Sequence, residues 1–122
     1  MFPSLAPGSA PRNVQAKGTS GNSFGATWLP PLEPNGIIRG YRLYYSTDLK
    51  KEISQWQFKT SAFNQTDVTG LQTHTTYYFK VRSYNSAGTG PLTDLYAVKT
   101  GRGGQLENSL QTIKFEPPCK AK

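Results

Sequence analysis

The stretch Leu71–Gly90, LQTHTTYYFKVRSYNSAGTG, restricts the possible folds more than any other part of the chain. Its middle alternates. Tyr77, Phe79, Val81 and Ser83 share one parity, and Tyr78, Lys80, Arg82 and Tyr84 share the other. A period of two belongs to a strand with one dry face and one wet face. The first set should point into a core, and the second, charged and phenolic, should face water. Leu71 lies six residues before Tyr77, after a Gly70 suited to a tight turn. Asn85-Ser86-Ala87-Gly88-Thr89-Gly90-Pro91 follows as a loop of turn-forming residues.

A chain of 122 residues suits one domain better than two and is long enough to bury a core without disulfides. With 35% hydrophobic residues, 12 Gly and 9 Pro, it reads as many short strands joined by sharp turns. Residues 1–10, rich in Pro, Ser, Gly and Ala, read as a mobile linker. Strands are then expected at residues 11–16, with Val14 and Ala16 inward, and at 23–28, with Phe24, Ala26 and Trp28 inward. The next spans 37–46, with Tyr41, Leu43 and Tyr45 inward and Arg42 and Tyr44 outward. A fourth runs over 55–60, with Trp56 and Phe58 on one side and Gln57 and Lys59 on the other. A short strand around Val68, the strand opened by Tyr77, and a last one over 94–100 complete seven. In that last strand Tyr96 and Val98 point inward and Lys99 outward. These elements predict an all-β fold, a seven-stranded antiparallel sandwich of immunoglobulin type. Gly101-Arg102-Gly103-Gly104 opens a C-terminal linker over 101–122, in which Leu106, Leu110 and Ile113 fall on one short helical face.

A Leu, a polar turn and a Tyr that opens a strand look like a tyrosine corner, in which the phenol caps an upstream backbone group. Leu71, Thr75, Tyr77, Val81, Asn85, Gly88, Gly90 and Pro91 together resemble the motif of the fibronectin type III family. Thr73, Ser83 and Thr93 depart from it by small changes. TWLPP from Thr27, PNG from Pro34 and GYRLYY from Gly40 resemble the same family, so the likeness covers residues 10–100. It implies Trp28, Tyr41, Leu71, Tyr77 and Val81 as core residues. YYSTD from Tyr44, Trp56 and the run from Tyr77 are similar to modules of tandem cell-surface adhesion and guidance receptors of the neogenin kind. The resemblance implies a non-catalytic, extracellular, protein-binding piece of a larger cell-surface receptor, with neighbouring domains in tandem. The alternatives are a structural spacer or an intracellular scaffold or muscle module.

Little in the chain points to catalysis. His74 is the single histidine and Cys119 the single cysteine, so no metal set has usable spacing, no internal disulfide forms and no cofactor is implied. No phosphate-cradling loop occurs. No window approaches the ~18 apolar residues of a membrane span, and the first residues lack the pattern of a secretory signal. The opening therefore reads as that of a piece cut from a longer protein. Asn64-Gln65-Thr66 is a sequon for N-glycosylation at Asn64.

Net charge is +7, from 14 Lys and Arg against 7 acids. The expected outward positions of one sheet are Arg42, Tyr44, Lys59, Tyr78, Lys80, Arg82, Tyr84 and Lys99, with no acid among them. Asp48, Glu52, Asp67 and Asp94 fall in turns. A basic face set with aromatics suits a heparan-type polyanion or an acidic protein patch, and nucleic acid less well. The competing reading is a solvated face on which cations discourage aggregation. Loops 30–36, 47–54 and 85–91 are expected to form a second surface at one end. No Arg-Gly-Asp occurs.

Overall fold

The computed structural model describes residues 5–101. Two antiparallel sheets face each other. One holds β1 (Arg12–Ser20), β2 (Ser23–Leu29) and β5 (Gln65–Val68) in the order β1-β2-β5. The other holds β3 (Gly40–Ser46), β4 (Gln57–Ser61), β6 (Thr76–Asn85), β7 (Gly88–Thr89) and β8 (Tyr96–Lys99). Here β4 and β6 flank β3, and both β7 and β8 pair with β6. The short β7 and β8 are two ends of one interrupted strand. Between them Pro91 has no N–H to give, and Thr93 N–H to Val81 O bridges the gap. The seven expected strands are thus present, and β7 is an addition that falls within the expected loop 85–91.

Alternation builds the core. Phe24, Ala26 and Trp28 from β2 meet Tyr41 and Leu43 from β3 and Phe79 and Val81 from β6. Phe24 stacks on Phe79 at 5.5 Å between centroids, and Trp28, 2% exposed, meets Tyr41 edge-on at 5.4 Å. Large buried rings of this kind contribute about 3 kcal/mol each. Burial holds the Tyr41 phenol above its ordinary pKa, and burial, with the nearby Tyr77, raises that of Tyr45. Leu71, partly buried, packs against this cluster.

The corner closes as its motif implies. Gln72 N–H donates to Tyr77 Oη at 2.9 Å. The backbone turns through Gly70 at φ 71° and His74 at φ 48°. Thr100 Oγ1 fixes the same turn from the chain's other end: it accepts from Thr75 N–H at 2.9 Å and donates to Gln72 O at 2.8 Å.

Three expectations change. First, residues 5–10 are docked rather than loose. Asn85 Nδ2 donates to Leu5 O, Pro34 O and Asn35 O, Asn35 Nδ2 donates to Ala6 O, and Gly8 N–H donates to Glu33 O. Residues 1–4 and 102–122, with the expected helical face at Leu106, Leu110 and Ile113 and the rest of the C-terminal linker, lie outside the described residues. Second, loop 47–54 lies at the opposite end of the sandwich from 30–36 and 85–91, because β3 separates it from the former by the full length of a strand. Third, β4 has the reverse parity, as follows below.

Candidate functional site

The outward face of the larger sheet is set by register. Arg42 stands opposite Arg82 on β6 and Thr60 on β4, and Tyr44 stands opposite Lys80 and Phe58. Ser46, Tyr78 and Ala97 form the next level, and Thr76 and Lys99 the last. Arg42, Lys80, Arg82 and Lys99 therefore share one face with Tyr78 and Tyr84, as alternation requires.

These side chains stack. The Arg42 guanidinium lies 5.4 Å from the Phe58 ring centre and 5.5 Å from that of Tyr84. Arg82 lies 5.1 Å from the Tyr44 ring and donates from Nη2 to Tyr44 Oη at 2.8 Å. Tyr44 also meets Phe58 at 5.6 Å. Two like charges directly opposite across a ladder repel. Each ring accepts one of the two cations on its electron-rich face, which offsets part of that cost. The Tyr84 ring reaches across Gly40, where a Cβ would sit 2.6 Å from Tyr84 Oη.

Two expected members of this face behave otherwise. Tyr44 has outward parity, yet it is 6% exposed, roofed by Phe58 and Arg82. It supports the face rather than presenting a phenol to solvent. Lys59 pairs with Leu43 and so has inward parity. At the sheet's edge its Nζ crosses the open seam of the sandwich to Asp67 O on β5. The reversal originates at Trp56. Its indole, 8% exposed, donates to Lys51 O at 2.9 Å, and its N–H returns to Ile53 O in a 3₁₀ turn over Ile53–Gln55. Trp56 therefore precedes β4 instead of setting its inward side. Phe58, 54% exposed, joins the outward face, and no simple signal in this short edge strand announces it.

Asn64 is exposed in the β4–β5 connection. Its side-chain Nδ2 donates to Trp28 O at 2.9 Å, and its backbone carbonyl accepts from Trp28 N–H at 3.1 Å.

The model of the fibronectin type III domain matches residues 9–99. The chain belongs to the fibronectin type III family. Receptor-type tyrosine-protein phosphatase F of Danio rerio is 43% identical to this module over 99 residues, which are 80% of the chain and 5% of that protein. Neogenin of Rattus norvegicus is 36% identical over 100 residues, 79% of the chain and 7% of that protein. The solved FN5 domain of Drosophila Lar superposes with a TM-score of 0.63 at 30% identity, covering 80% of this chain and 99% of that one. The relatives are receptor-type proteins many times longer than the module. The match is to a type III module, and the phosphatase named in one relative is a property of that whole protein. Among the described residues no group of three or more His, Cys, Asp and Glu is placed to hold a metal, and no helix is long and apolar enough to cross a membrane.

Proposed function

We propose that this type III module is a non-catalytic recognition unit in the extracellular part of a larger cell-surface receptor. Its outward basic face engages a sulfated, heparan-type polyanion or an acidic patch on a protein partner. One observation carries this reading: the cross-strand pair of Arg42 and Arg82, each stacked on its own ring, with Lys80 in the adjacent row. Opposed like charges weaken a sheet, and an anion laid along the row relieves that repulsion while gaining charge-assisted hydrogen bonds. Stacking holds the guanidinium groups in place before binding, which lowers the entropy lost on association. Cations in three rows of one face suit an extended polyanion. Neighbouring modules in the parent chain add avidity. Asn64, exposed within its sequon, carries an N-linked glycan in this setting.

The test is retention on immobilised heparin. Lys80→Glu with Lys99→Glu reverses charge without touching the stacked pairs. The double variant should keep its melting temperature within about 2 °C and elute at clearly lower salt. Elution of variant and parent at the same salt overturns the reading. The salt dependence should flatten together with the lost charges.

A further inference from the structure

The smaller sheet presents a different kind of surface. The outward sides of β1, β2 and β5 border an open groove of about 610 Å³, lined by Gln15, Lys17, Thr27, Gln65, Asp67 and Phe63 among others. Its floor is low because Gly25 lies at its centre, and a Cβ there would meet Asp67 Oδ1 at 2.7 Å. The walls carry amides, hydroxyls and one charge of each sign over a largely apolar surface. At the β5 end stands Phe63, 72% exposed, a large ring with most of its surface in water. The next residue is Asn64 of the sequon.

Three features thus follow one another along the chain: a groove, an exposed ring that lines its mouth, and, at the next residue, an attachment point for sugar. The bond from Asn64 Nδ2 to Trp28 O adds a fourth. A carboxamide nitrogen has two hydrogens, and this bond uses one. We propose that the glycan on Asn64 folds back onto the protein, with its first two N-acetylglucosamine residues seated on Phe63 and in the groove. This rests on the reading that Asn64 is glycosylated.

In the transfer step the donor is a lipid-linked oligosaccharyl pyrophosphate. The Nδ2–C1 bond forms and the bond from C1 to the pyrophosphate oxygen breaks. The lipid pyrophosphate leaves with the electron pair, and Nδ2 gives up one proton. The hydrogen it keeps continues to donate to Trp28 O, so the first sugar is rooted beside Phe63. An N-acetylglucosamine ring has an apolar C–H face that suits an aromatic ring. Its hydroxyl and acetamide groups suit Gln15, Thr27, Gln65 and the acceptor Asp67. The occupant is uncharged, which fits a groove with one Lys and one Asp. Because the sugar is tethered, its effective concentration is on the order of millimolar, so individually weak contacts suffice.

The experiment uses the full chain, secreted from mammalian cells and compared with the identical chain made in bacteria. Intact mass is expected to show glycan on Asn64. The glycosylated chain should melt about 4 °C higher. Amide resonances of Gln15, Thr27 and Gln65 should shift relative to the bacterial chain. Trimming to a single sugar should keep part of the gain. Phe63→Ser should abolish the gain while leaving the bacterial chain's melting temperature within about 1 °C. An occupied Asn64 with no change in melting or resonances overturns the seat and leaves the glycosylation reading standing. A gain that survives Phe63→Ser overturns the seat as well. An unmodified Asn64 overturns both.

Discussion

On the larger sheet the outward residues stack on one another, whereas on the smaller sheet they border an open groove. Arg42 lies between Phe58 and Tyr84, and Arg82 caps Tyr44, so that face is a continuous layer of rings and guanidinium groups. Gln15, Thr27, Gln65 and Asp67 instead surround the space left by Gly25. Both faces are wet sides of sheets from one sandwich. They differ at their centres: on the first, rings and guanidinium groups roof the strands, and on the second, the central position is Gly25. A face of the first kind offers fixed charges, while one of the second kind offers room.

The contrast makes graded predictions. Tyr44→Ala removes a buried ring and the partner of Arg82, and should lose about 3 kcal/mol in urea unfolding. A loss below about 1 kcal/mol would mean the layer is not cohesive. Gly40→Ala drives a methyl against Tyr84 and to within 2.8 Å of Ser61 O, which is backbone and yields little. It should cost about 2 kcal/mol. Ser83 lies between the faces, fully buried, and its Oγ has no partner among the described residues. Ser83→Ala should therefore raise stability by about 1 kcal/mol.

Alkaline pH probes the dry side of the larger sheet. The phenols of Tyr41 and Tyr45 titrate above their unfolded value, so above about pH 10 the unfolded chain releases protons first. Stability from this source is fully present below pH 10 and falls as pH rises through the folded values. Unfolding midpoints at pH 9 and pH 11 should differ less in Tyr41→Phe than in the parent chain. The smallest effect is expected at Gly25→Ala. There the nearest atom is the end of the Asp67 side chain, which can swing aside, so the cost should stay within about 0.5 kcal/mol. Equal costs at Gly25 and Gly40 would erase the distinction between the faces.

Much of this was legible in the sequence. The long central strand β6 alternates over ten residues, and that repetition places Lys80 and Arg82 outward and Phe79 and Val81 inward. Trp28 and the Tyr77 corner declare themselves because few arrangements suit a large indole or a phenol after a polar turn. The edge strand β4 has only five residues, too few for a period to outvote one misleading Trp56. Parity gives the face of Tyr44 but not its cover, since Phe58 and Arg82 come from neighbouring strands. The docking of residues 5–10 runs through backbone groups and the side-chain amides of Asn35 and Asn85, which leave no periodic trace.

Lys59 has a consequence beyond the sheet it edges. Strands at a sheet's margin present unpaired amides to any similar margin nearby, and a receptor made of repeated modules keeps many such margins close together. An ammonium group laid over the gap between β4 and β5 would have to be stripped of its partner and its water before two copies could zip together. A cation that departs from the alternation of its neighbours thus guards the margin where the two sheets come closest to a free edge.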